Sequence, residues 1–194
     1  WNAENFKLMT CSVDQFQKEQ WQELIPHRED VLLQYFKPFH SFLALSEREG
    51  GISKVKIWKN ENNSHYIDFG EDAYTANLSV NEDPSAEKVR VQYTSMTRPS
   101  TVYDYHLEDQ KLEMIKQQEV LGSFNPDDYQ SERLMIKAQD GTEIPVSLVY
   151  KKGYEKDGRQ PLMLYAYGSY GYSMEPYFSS VRLSLLDRGF AYAI

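Results

Sequence analysis

The chain has no apolar run approaching the ~20 residues that a bilayer span requires, and no charged-then-apolar leader of the secretory kind opens it. A membrane role is therefore not expected. Cysteine occurs once, at Cys11, so no internal disulfide forms and a reducing, cytoplasmic setting suits the chain. Cys11 itself reads as a small, half-buried strand residue rather than a reactive thiol. Cations are scarce: 21 Lys and Arg stand against 29 Asp and Glu, for a formal net charge of −8. Nucleic-acid binding needs clustered cations, so that class is set aside, and the acidic surface is read as plain solubility. The four histidines, His27, His40, His65 and His106, do not fall at metal-ligand spacing and read as structural or solvent-facing.

What is abundant is aromatic. Fifteen Tyr, nine Phe and three Trp, within 41% hydrophobic residues, favour β structure with a packed core. The sequence also repeats itself at about 48 residues. Ser41 to Arg48 aligns with Val89 to Ser95, and Lys54 to Trp58 with Thr101 to His106. Each pair is flanked by two further strand candidates: Val31 to Phe36 and His65 to Phe69 in the first unit, Ala76 to Val80 and Leu112 to Gln117 in the second. Four short strands in a unit of this length describe a β-propeller blade. Phe6 to Val13 and Gln22 to Ile25 read as the end of a preceding blade, so residues 1–121 hold two to three blades.

The pattern changes at Gly122-Ser123-Phe124-Asn125-Pro126-Asp127-Asp128, a turn-forming cluster that marks 122–130 as a linker. Beyond it, Leu134 to Ile136 and Ile144 to Tyr150 flank Asp140-Gly141 as a hairpin would. Then come a short apolar strand ending at Tyr165, the glycine turn Tyr167-Gly168-Ser169-Tyr170-Gly171, a helical stretch from about Ser180 to Asp187, and the apolar Phe190 to Ile194. This is strand, glycine loop, helix, strand. In such α/β arrangements ligands are met beyond the carboxyl ends of the strands, which singles out the loop holding Tyr167 and Tyr170.

That loop, with Ser131-Glu132-Arg133, Asp140 to Tyr150, Arg182 to Phe190 and Leu24 to Arg28, resembles the prolyl oligopeptidase family of serine peptidases, and within it the oligopeptidase B branch. The resemblance implies propeller blades followed by the beginning of an α/β-hydrolase domain over 131–194, both partial. It implies hydrolysis of short, basic peptides by a Ser-His-Asp triad without a metal or other cofactor. Tyr167 would donate a hydrogen bond to the oxyanion of the transition state. Tyr170 would line the pocket for the substrate side chain, stacking on an arginine.

No Gly-x-Ser-x-Gly elbow occurs in the chain; Ser169 in Gly168-Ser169-Tyr170-Gly171 has the wrong spacing. Nucleophile, acid and base are thus not among these residues. The chain begins at Trp1 and stops within a strand, so it reads as a piece of a larger protein, inactive by itself and completed by the rest of that protein or by another copy. A non-catalytic propeller module that binds peptide or protein is the alternative, distinguished by whether the sequence beyond Ile194 supplies Gly-x-Ser-x-Gly, then Asp, then His. A third reading is a related hydrolase such as an acylaminoacyl or dipeptidyl peptidase, against which the string Arg182 to Phe190 is weighed. Arg98 and Arg188 are long enough to reach an interdomain acid, which the sequence does not identify.

Overall fold

The structure, a computed structural model, describes residues 1–194. Leu8–Thr10 (β1) and Gln22–Ile25 (β2) form a two-stranded antiparallel ribbon. Val31–Pro38 (β3), Leu43–Glu49 (β4), Ile52–Asn60 (β5) and Asn63–Tyr66 (β6) then form a four-stranded meander in chain order. A second four-stranded meander follows in Tyr74–Leu78 (β7), Lys88–Ser95 (β8), Thr101–His106 (β9) and Leu112–Gln117 (β10). The aligned repeats land where the period placed them, on the second and third strands of each meander.

The sequence pattern explains both sheets. Along β8, Val89, Val91, Tyr93 and Ser95 are buried while Lys88 and Gln92 are exposed, the period of two that a pleated strand imposes. Gly50 and Gly51 close the β4–β5 hairpin with φ of +56° and +75°, left-handed values that a tight primed turn demands at both central positions. The inner faces meet in one core. Phe42, Val55, Ile57 and Ile67 of the first meander pack with Ala76, Val91, Tyr93 and Tyr105 of the second, and Phe69 stacks on Tyr93 at 4.7 Å.

The chain's strands also hold buried charge. Asp104 on β9 is 1% exposed and accepts from Arg90 Nε at 2.7 Å and Nη2 at 3.0 Å, with Lys88 Nζ at 2.6 Å. The Arg90 hydrogen bonds, opposed by burial and aided by Lys88, hold its carboxyl down at about 2. A folded-state value below the unfolded one stabilises the protein above the unfolded carboxyl range and ceases to do so as pH falls through about 2. Asp104→Asn is therefore expected to cost about 2 kcal/mol at pH 7, with the gap to the parent narrowing between about pH 4 and pH 2. Urea unfolding of both proteins across that range checks it; a gap independent of pH would contradict it.

The last sheet is built differently. Tyr129–Lys137 (β11) and Glu143–Lys151 (β12) pair as a hairpin in continuous register from Tyr129 opposite Lys151 to Lys137 opposite Glu143. Leu162–Leu164 (β13), the helix Ser180–Leu186 (α1) and Ala191–Ala193 (β14) complete it in the order β11-β12-β14-β13. β13 and β14 are parallel, the pairing that needs a crossover such as α1. No helix is long and apolar enough to cross a membrane.

Several details differ from the sequence reading: β6 spans Asn63–Tyr66 rather than His65 to Phe69, and β7 spans Tyr74–Leu78 rather than Ala76 to Val80. Cys11 is exposed and lies beyond the end of β1, because the strand pairs only over Leu8–Thr10. The strand candidate Phe6 to Val13 is correspondingly short. β11 begins at Tyr129, inside the segment read as linker. Tyr129 is pulled into the sheet by its ring, which packs with Met96, Val149 and Leu186. Its hydroxyl donates to Asp187 at 2.9 Å, and burial together with that carboxylate pushes its pKa up to about 12.

Candidate functional site

Residues 165–179 connect β13 to α1, and they contain the residues singled out from the sequence. The loop leaves the sheet in register, since Tyr165 N–H still donates to Ala193 O at 2.9 Å. It then turns through Gly168, Tyr170 and Gly171 with φ of +69°, +53° and +63°. Glycine adopts that region freely, whereas Tyr170 does so against the clash of its own Cβ. The strain is modest, and such strain is common where a loop must present a side chain.

Tyr167 is half exposed and meets Tyr172 edge-on, with ring centroids 5.5 Å apart and planes at 76°. The Tyr66, Tyr129 and Tyr150 hydroxyls are each committed to a carboxylate, Glu47, Asp187 and Glu132 respectively. The Tyr167 hydroxyl has no partner within the chain and remains available as a donor. It borders an open, largely apolar cleft of about 460 Å³, lined also by Leu164, Tyr165, Tyr172, Ile144 and Arg133. Tyr170 is not part of that lining and is 94% exposed. The structure thus carries both tyrosines on one turn but faces only Tyr167 to the cleft.

The loop's far end is anchored on the meanders. Glu175 Oε1 pairs with Arg48 Nη2 of β4 and accepts from Ser53 Oγ of β5 at 3.0 Å. Thr75 Oγ1 of β7 shares its proton between Glu175 Oε2 at 3.2 Å and Pro176 O at 3.1 Å. Phe178 N–H then donates to Thr94 Oγ1 on β8 at 3.1 Å. The sequence reading missed Glu175. The available signal was an acid within the aromatic and apolar stretch Met174-Glu175-Pro176-Tyr177-Phe178.

Two arginines from the recognised strings frame the same region. Arg133 on β11 donates to Ser147 Oγ at 2.7 Å and to Gly50 O at 2.6 Å. Burial pulls its pKa below the ordinary value, and the charge of Glu175 opposes that pull. A Cβ at residue 51 would stand 2.5 Å from Arg133 Nη2, so Gly51 serves this approach as well as the turn. Arg182 of α1 is buried, with its guanidinium 4.3 Å from the Tyr192 ring and 5.1 Å from that of Tyr177, and it donates to Tyr177 O at 2.8 Å.

Arg98 reaches Asp127 at 3.2 Å and Glu71 at 3.4 Å, so it ties the second meander to the segment before β11. Arg188 instead donates to Ser184 O of its own helix. His65 Nε2 lies 2.7 Å from Tyr105 Oη, and His106 Nε2 2.9 Å from Glu113. Ser95 Oγ accepts from the N–H groups of Thr97 and Arg98, as a hydroxyl at a turn does.

Comparison with known proteins gives this geometry a context. Residues 1–118 match the family described as prolyl oligopeptidase, N-terminal β-propeller domain. The chain is 39% identical to dipeptidyl aminopeptidase BI of Pseudoxanthomonas mexicana over 99% of its own length and 27% of that protein. Oligopeptidase B from Trypanosoma brucei, solved in a closed form with covalently bound antipain, shares 34% identity and superposes with a TM-score of 0.78, covering 89% of this chain and 26% of that one. Oligopeptidase B from Leishmania major gives 31% identity and a TM-score of 0.77, covering 89% and 25%. The chain therefore spans about a quarter of the length of the proteins it matches. A relative named as a dipeptidyl aminopeptidase at 39% identity stands against setting that activity aside on the string Arg182 to Phe190.

Proposed function

Because the chain belongs to the prolyl oligopeptidase family, we propose that it forms the last blades of a propeller, residues 1–121, and the opening of an α/β-hydrolase domain, residues 131–194, of a cytoplasmic serine oligopeptidase. The reaction is acyl transfer. A serine Oγ outside these residues attacks the peptide carbonyl carbon while a histidine takes its proton, and an aspartate holds that histidine in place. The C–N bond breaks as the histidine returns the proton to the leaving amine, and water then releases the acyl group.

The observation that supports this reading is Tyr167, whose hydroxyl has no partner within the chain and which lines a cleft at the carboxyl end of β13. On this reading the phenol donates to an oxygen that becomes negative only as the reaction proceeds, so it lowers the barrier rather than merely retaining substrate. Basic specificity rests on the resemblance to oligopeptidase B, with Tyr170 offering an exposed ring on which an arginine side chain can lie. The relative named as a dipeptidyl aminopeptidase favours a second reading, release of dipeptides from a free N-terminus.

One assay addresses both. An N-terminally blocked arginyl fluorogenic peptide and its unblocked counterpart are offered to the complete peptidase and to residues 1–194 alone. The complete enzyme is expected to cleave the blocked peptide, and the chain alone to release nothing above buffer. Cleavage confined to the unblocked peptide would select the dipeptidyl reading. Turnover that follows the purified chain and responds to substitutions within it would overturn the division of the catalytic machinery proposed here.

A further inference from the structure

The loop bearing Tyr167 is held at both ends by different parts of the molecule. Its start continues the pairing of β13 with β14 through Tyr165 N–H and Ala193 O. Its end is held first by a carboxylate, Glu175, which three strands from two meanders grip through Arg48, Ser53 and Thr75, and then by Pro176 O and Phe178 N–H, bonded to Thr75 and Thr94. Between those points the backbone makes a local Tyr172 N–H to Ser169 O bond at 3.0 Å, and Tyr170 and Tyr172 are exposed. A segment with so few restraints of its own takes its position from its ends.

We propose that Glu175 is a positioning residue for Tyr167: its attachment to β4, β5 and β7 sets the placement of the oxyanion donor. The inference rests on the oxyanion reading of Tyr167. The charge balance around the carboxylate strengthens it. Glu175 forms the ion pair of Arg48, and its negative charge acts on the half-buried Arg133, so neutralising it takes the opposing charge away from both. The hydroxyls of Ser53 and Thr75 add direction to what an ion pair alone holds loosely.

The consequence is kinetic. A donor displaced by a fraction of an ångström weakens transition-state stabilisation while leaving substrate contacts made elsewhere intact. Glu175→Gln in the complete peptidase is expected to lower kcat about 10- to 100-fold with KM changed less than about threefold. In a Tyr167→Phe background the same substitution is expected to cost no more than about threefold, because the group it positions is already gone. Hydrogen exchange of the amides of residues 166–174 is expected to quicken in Glu175→Gln while those of β4, β5 and β8 keep their protection.

Thr75→Val, which removes both hydroxyl bonds at nearly constant volume, is expected to show the same pattern more weakly, and it carries the test should Glu175→Gln fail to fold. An unaltered kcat in both variants, alongside a slow Tyr167→Phe enzyme, would sink the proposal alone. So would equal losses from Glu175→Gln with and without Tyr167. An unaltered kcat in Tyr167→Phe would remove the oxyanion reading, and this inference with it.

Discussion

Tyr167→Phe is expected to slow the complete peptidase by about 100-fold in kcat, the scale of a single oxyanion donor and some 2.7 kcal/mol of barrier. KM is expected to stay within about twofold, since the hydrogen bond is made to charge that the ground-state carbonyl does not carry. The ring itself remains, so its edge-on contact with Tyr172 persists and the fold is not at stake. That separation makes the substitution informative. Steady-state kinetics of the two enzymes, with circular dichroism to show equal folding, measure it. A raised KM with unchanged kcat would assign Tyr167 to substrate binding, and no change at all would assign it to packing.

Tyr93→Ala should produce the largest loss of stability. The ring is 4% exposed, stacks on Phe69 at 4.7 Å and meets Tyr74 and Tyr103 at 5.8 and 6.1 Å. Its removal deletes apolar contact from the core that both meanders share and leaves a void that strands paired on either side cannot collapse to fill. About 3–5 kcal/mol is expected, a large part of the stability of an ordinary domain. Because the residues of that core come from both sheets, the two blades are expected to lose stability together, in one transition at lower denaturant. Urea unfolding read by tyrosine fluorescence and by far-ultraviolet circular dichroism checks this. Separate transitions, or a loss under about 1 kcal/mol, would contradict a shared core.

Legibility in the sequence followed the range of the interactions responsible. The meanders were readable because each strand announces itself within a few residues, as the alternation along Lys88–Ser95 shows, and because the unit recurs. The β11–β12 hairpin was readable through Asp140-Gly141, whose glycine takes φ of +90°. The helix Ser180–Leu186 stopped where Gly189, at φ of +86°, could follow it. Glu175 was not readable, since Thr75 and Arg48 precede it by 100 and 127 residues and nothing local says that an acid between Met174 and Pro176 is gripped by distant strands. The tyrosines were found as residues, but which of them faces the cleft depended on the left-handed turn at Tyr170, a backbone detail that side-chain type does not encode. Cys11 falls outside the strand because the pairing with β2 ends at Thr10, a limit that the apolar pattern does not mark.

The most direct test of the account is the affinity of a peptide aldehyde ending in arginine, measured as an inhibition constant on the complete peptidase and its Tyr167→Phe variant. The serine adds to the aldehyde and generates an oxygen where the transition state has one, so the inhibitor senses the oxyanion donor while a ground-state peptide does not. The account predicts that Tyr167→Phe weakens the aldehyde by the same factor, about 100-fold, by which it lowers kcat/KM, with the affinity for an uncleaved product peptide unchanged. Equal affinity of the two enzymes for the aldehyde would contradict it.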